Sequence, residues 1–205
     1  MSIKERGFIM PQADKIRINN KELHQRLGIK LGEDISFAEP VLTEIKAAAE
    51  LKACYVKAEA RILAKECDLG FGTIQSELLL KNLYGCREVY VFAATLGSEI
   101  DRLLLKKEAL SAYELFVCDA VSSAYIEAFA AYVNSFLTEH EVSRPRFSPG
   151  FGGFGLEFQN SIIKFLNADR LLGLRLTSSS MIIPKKSVTA VIGIEGGSKW
   201  KSERN

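Results

Sequence analysis

The spacing of apolar and polar residues changes several times along the chain, and each change marks an element. Residues 15–18 alternate Lys-Ile-Arg-Ile, the period of a short strand. Asn19 or Asn20 then stands where a helix cap belongs, with a helix through Leu27 and Gly28 as its stop. Pro40 opens a second helix. Val41, Leu42, Ile45, Ala48, Ala49 and Lys52 recur at helical spacing, and proline suits a first helical turn. Over 54–63 the period falls to two: Val56, Ala58, Ala60 and Ile62 point one way, Tyr55, Lys57, Glu59 and Arg61 the other. That is a half-buried strand. Gly70-Phe71-Gly72 breaks the chain, and residues 76–83 predict a short helix closed near Gly85.

Residues 88–94, Glu-Val-Tyr-Val-Phe-Ala-Ala, are nearly all apolar and β-prone, as a central strand requires. Thr95-Leu96-Gly97-Ser98 turns into a helix through Lys106, and residues 113–137 carry the longest helical pattern. A Pro/Gly-rich loop over 142–155 leads to a helix over 157–171. Two strands, 174–183 and 187–194, close the chain as an apparent hairpin around Pro184-Lys185-Lys186. Strands and helices mix without a βαβ rhythm. The expected fold is α+β, one domain over 14–194 with an antiparallel or mixed twisted sheet packed by helices. Residues 1–13 read as a flexible arm and 195–205 as a polar, mobile tail.

Composition narrows the chemistry. The chain has 205 residues, 47% hydrophobic and 25% charged, an ordinary globular balance. Its 27 basic and 25 acidic residues leave a net charge of +2, which gives no global field for nucleic acid. No run approaches 18 consecutive apolar residues, so no membrane span is expected, and the apolar run over 8–10 is too short for a secretory core. His24 and His140 lie far apart; Cys54, Cys67, Cys86 and Cys118 form no metal-ligand spacing. The expectation is a cytoplasmic protein with reduced cysteines and no metal site.

The segment Arg144-Pro-Arg-Phe-Ser-Pro-Gly-Phe-Gly-Gly-Phe-Gly155 carries the most chemical information. Its glycines permit positive φ and close approach of a ligand. Arg146 either grips a carboxylate or phosphate with its planar fork or is a surface arginine on a structural turn. Loop N–H groups leading into the next helix are candidate donors. Gly150, Gly152 and Gly155 match G-x-G-x-x-G, but no hydrophobic strand precedes them, so the dinucleotide reading fails. Glu127 sits in the most apolar helix, where an acid either faces solvent or is paired. Asp119 and Ser123 precede it by eight and four residues and share its broad face. Thr177-Ser-Ser-Ser180 offers hydroxyls to a polar ligand or to a neighbouring loop. No nucleophile–base set assembles.

These motifs resemble the activation (reactivation) domain of cobalamin-dependent methionine synthase, in the form of a stand-alone single-domain relative. The resemblance is clearest over 119–194. It rests on Arg146-Phe-Ser-Pro-Gly-Phe151, on Glu127-Ala-Phe-Ala130 upstream, and on Leu176-Thr-Ser-Ser179, Pro184 and Ser187-Val-Thr189 downstream. It implies an S-adenosylmethionine-binding accessory protein that assists reductive methylation of cobalamin on a partner. That partner would be a corrinoid-binding methyltransferase or cobalamin-binding protein, with a flavodoxin-like reductase as electron source. The role is associated with a methyltransferase rather than that of a complete enzyme.

Carried over by position, Arg146 would pair with the ligand's carboxylate. Ser148, Gly150 and Phe151 would face its adenosyl part, and Glu127 its ammonium or a neighbouring polar group. Ile192 stands with Val191 where the family has an aromatic pair; Phe151 lacks a tyrosine hydroxyl, and Phe154-Gly155 replaces Cys-Pro. The cobalamin-binding Asp-x-His-x-x-Gly is absent, so cobalamin would come only on a partner. Two further readings stay open: a non-catalytic docking protein for a corrinoid protein, and a binder of another small carboxylated ligand.

Overall fold

The structure, a computed structural model, describes residues 2–198. Its elements run β1 (Ile3–Ile9), α1 (Asn20–Leu27), α2 (Glu39–Ala48), β2 (Lys52–Glu59), β3 (Arg61–Ile62), β4 (Cys67–Asp68), β5 (Thr73–Ile74) and α3 (Glu77–Asn82). There follow β6 (Cys86–Thr95), α4 (Ser98–Leu110), α5 (Ala112–Leu137), β7 (Glu141–Ser143), α6 (Phe158–Leu166), α7 (Ala168–Leu171), β8 (Arg175–Leu176), β9 (Ile182–Ile183) and β10 (Ser187–Ser198). The main sheet has the order β1-β2-β6-β10-β7, with every pairing antiparallel.

Both faces of this sheet are covered, which is why its middle strands are apolar on both sides. On one face Ala53, Tyr90, Phe92, Ala94, Ala190, Ile192 and Ile194 pack with α1, α2, α4 and α5. On the other, Cys54, Val56, Val89, Val91, Ala93 and Val191 pack with α6, α7 and the short β3-β4-β5 sheet. β6 lies at the centre, as its composition demands. α5 is long and apolar enough to cross a membrane by length and composition. Here it serves as the core helix, with Val121, Ala124, Tyr125, Phe129 and Val133 buried.

The caps follow local chemistry. Asn19 accepts from Lys21 N at 2.9 Å to start α1, and Gly28 ends it at φ 68°. Ser76 caps α3, accepting from Leu79 N at 3.1 Å. Asn167, at φ 59°, splits the expected single helix over 157–171 into α6 and α7, because a left-handed residue cannot continue a helix.

Further sequence expectations change. α2 stops at Ala48, and Lys52, spaced with its apolar face, belongs to β2. Residues 15–18 form no strand: a 3₁₀ turn over Ala13–Lys15 leads in, and Ile16 is anchored in the first core. The arm over 1–13 supplies β1 on the sheet edge. Arg6 there donates to Phe165 O at 3.2 Å, and Tyr55 donates to Glu5 at 2.5 Å. At Gly7 in this strand a Cβ would come within 2.4 Å of the Tyr55 ring, so a larger residue would force that ring to move. The apparent closing hairpin is two separate things. Residues 174–183 fold on themselves as β8 and β9, while β10 crosses to pair with β6 and β7. β10 continues through Ser198, past the expected boundary at 194; of the expected tail, residues 199–205 lie outside the described residues.

Candidate functional site

β10 organises a polar stripe on α5. Lys186 stands immediately before β10. At its other flank Phe147 pairs with Val191, exchanging N–H···O bonds of 2.8 Å each way. That pairing sets Arg146 opposite Ile192, on the sheet face that carries α5. The two cations thus reach α5 from segments bordering β10, Lys186 from the turn before it and Arg146 from the loop along its flank. Asp119, Ser123 and Glu127 occupy one helical stripe and receive them.

At the first cation, Lys186 Nζ donates to Asp119 Oδ1 and Ser123 Oγ, both at 2.7 Å, and to Asp119 O at 3.4 Å. Three acceptors match the three protons of an ammonium, so this buried lysine is fully engaged. At the second, Arg146 Nη2 donates to Glu127 Oε2. Side-chain exposures of 27% and 30% leave this pair half-buried. Arg146 Nη1 is shielded from solvent and has no hydrogen-bond partner among the described residues. Hence the guanidinium keeps unused donor capacity at the side of an ion pair.

The glycine loop is less open than its sequence implies. Gly150 N donates to Phe154 O at 2.6 Å, and Phe154 N to Phe151 O at 2.9 Å. Ser76 Oγ donates to Gly152 O at 2.6 Å and ties the loop to the cap of α3. Gly152, at φ 56°, is pressed between Leu78 and Phe147, where a Cβ would meet both at 2.9 Å. These contacts turn the loop inward. Ser148 is half-buried, while the Phe151 ring stands 63% exposed, 5.3 Å from the Phe147 ring centroid.

The sequence-derived candidates therefore separate. Glu127 and Arg146 meet directly. Ser148, Gly150 and Phe151 follow on the same loop. Ile192 is fully buried in the core beside α5 and presents no surface. Of the Thr177–Ser180 hydroxyls, two serve their own turn: Thr177 Oγ1 lies 2.9 Å from Ser179 Oγ and accepts from Met181 N at 3.1 Å. Lys186 was missed, because nothing in sequence spacing links position 186 to Asp119.

His24 and the four cysteines sit in packed surroundings. His24 lies between Asn20 O at 2.7 Å and Glu33 O at 3.1 Å. All four cysteines are free and buried. Burial pushes the Cys54 thiol up to about 12 and the Cys67 thiol up to about 11, so neither is a thiolate near neutrality.

No protein-family model and no curated protein matches the chain. Among solved structures, the chain is similar to the MetH reactivation domain bound to AdoHcy. The two share 14% identity at a TM-score of 0.68, over 92% of this chain and 78% of that one. The chain therefore has the fold of the MetH reactivation domain, a helix-packed antiparallel sheet in a single α+β unit.

Proposed function

We propose that this protein binds S-adenosylmethionine, or its demethylated product, at the Arg146–Glu127 edge of α5. One observation carries the reading: on the fold of a domain solved with AdoHcy, the Arg-x-Ser-Pro-Gly-Phe loop sets a guanidinium with spare donors against a carboxylate. The amino-acid head of such a ligand carries one carboxylate and one ammonium. A neighbouring cation and anion complement it charge for charge. The carboxylate would take the Arg146 fork, the ammonium would face Glu127, and the exposed Phe151 ring would cover the adenosyl part.

The chain's contribution to methyl transfer would be positioning. Cobalamin would reside on a partner corrinoid protein, and an electron donor of the flavodoxin class would act there too; the cobalt supplies the redox chemistry. Arg146 and Glu127 would hold the donor's head while its sulfonium faces the partner.

Isothermal titration with S-adenosylhomocysteine tests the reading. Saturable binding that Arg146→Ala weakens at least tenfold is expected. Absence of binding at millimolar ligand would defeat it.

The docking reading keeps one argument of its own. Arg146 is already neutralised by Glu127, and buried Ile192 offers no ring to a ligand. Capture of a corrinoid protein with the same affinity with and without S-adenosylmethionine would favour it.

A further inference from the structure

A cavity lies on the opposite face of the sheet, away from the α5 stripe. It has a volume of about 860 Å3 and opens where β2 ends and β6 begins, beside β3 and the end of α3. Its floor is apolar: Ala60, Ile62 and Leu80 are half-buried against the second core. Arg61, Lys81 and Arg87 stand around it, all exposed. None of these three side chains has a hydrogen bond or ion pair among the described residues. No carboxylate is among the described residues lining the cavity. Glu195, which pairs with Cys86 across the strands, is held instead by Arg144 at 3.0 Å.

The rim also carries an unusual aromatic. The Tyr84 ring is 76% exposed, although its backbone is fixed: its carbonyl accepts from Arg144 Nη2 at 3.1 Å. Gly85, at φ 81°, then turns the chain into β6. An exposed ring on an anchored backbone, beside three unmatched cations over an apolar floor, is a recognition surface without its ligand's charge. The volume falls within the range of small-molecule sites, roughly 300–1,000 Å3.

We propose that this cavity binds a small phosphorylated aromatic anion of the mononucleotide class. The phosphate oxygens would take the forks of Arg61 and Arg87 together with the Lys81 ammonium. The flat ring would lie against Tyr84, covering the apolar floor.

Titration of the whole protein with AMP at low ionic strength tests this. The expected result is saturable binding that weakens at least tenfold in Lys81→Glu and in the Arg61→Glu/Arg87→Glu double variant. Tyr84→Ala weakens it several-fold, adenosine binds at least tenfold less tightly than AMP, and Arg146→Ala changes nothing. These side chains are exposed, so circular dichroism of each variant will match the parent. Four outcomes overturn the proposal: no saturation at millimolar AMP, unchanged affinity in the double variant, equal affinity for adenosine, or loss of AMP binding in Arg146→Ala. The last would place AMP at the α5 edge. S-adenosylhomocysteine titrations on the same variants keep the two sites distinguishable.

Discussion

The guanidinium of Arg146 closes on the carboxylate of Glu127 and joins the loop beside β10 to α5 over a sequence separation of 19. Each partner is half-buried, so each holds the other in place before any ligand arrives. A ligand carboxylate must then share the guanidinium with Glu127, and the unpartnered Nη1, shielded from solvent, becomes reachable only when the pair shifts.

Arg146→Lys separates charge from geometry. A lysine keeps the positive charge but loses the planar fork. A charged hydrogen bond contributes about 1.5–3 kcal/mol, roughly 10- to 150-fold in affinity. If the fork matters, Arg146→Lys will lose nearly as much affinity for S-adenosylhomocysteine as Arg146→Ala. Calorimetric titration of both variants reads this, and full recovery by lysine would reduce the site to a point charge.

Lys186 makes a stability prediction instead. It is 8% exposed and donates to three acceptors on α5. Lys186→Met keeps most of the buried stem but leaves Ser123 and Asp119 without their donor. The expected cost is about 1–3 kcal/mol. For a chain of this size each kcal/mol lowers Tm by roughly 2–4 °C. Thermal melts followed by circular dichroism measure it. An unchanged Tm would mean that the lysine only reaches past α5 to solvent.

Two adjacent glycines should differ in their tolerance of alanine. Gly152 and Gly153 both have positive φ, 56° and 83°. At Gly152 a Cβ would also strike Leu78 and Phe147 at 2.9 Å, whereas at Gly153 the nearest atom is Ser76 Oγ at 3.6 Å. Gly153→Ala therefore meets backbone strain alone, on the order of 1–2 kcal/mol. Gly152→Ala adds a steric clash and will be the more destabilising by chemical denaturation. Equal losses would show that the loop shifts as a unit.

The sequence was most legible where one local force dominates. α1, α2, α3 and β6 carry caps, a helical proline or a continuous apolar run, and they form where those signals stand. Legibility failed where long-range pairing decides. Charged residues at 4–6 hide an edge strand, because an edge needs only one apolar face. Residues 187–194 look like the return of a hairpin, yet β10 finds its partner in β6, from Val188↔Ala94 to Ile192↔Tyr90. The candidate site divides in the same way. The Arg146 motif and the Glu127 stripe were visible separately, but that the two side chains would meet in one ion pair was not. That Lys186 would fill the other end of the stripe depended on a tertiary turn.

The buried thiols and phenols set the response to alkali. Burial raises Cys54 from 9.0 to about 12 and Cys67 from 9.0 to about 11; it also raises Tyr55 and Tyr125 from 10.0 to about 12. Each group is neutral when protonated, so the native state keeps its proton to higher pH than the unfolded chain does. Stability falls with pH wherever the native state binds more protons. Lys57 acts in the same sense: burial lowers its pKa, but the hydrogen bonds it donates to the Glu141 and Glu88 carboxylates more than offset this and raise it. These contributions are complete below pH 9. The thiol share is lost from pH 9.0 upward and the phenol share from 10.0, each through its raised native value. Tm is expected to be flat from pH 7 to 9 and to fall steadily above it. Cys54→Ala, which removes one raised thiol, will make that fall shallower. A Tm independent of pH up to 11 would mean that these groups titrate in the native state as they do in the unfolded chain.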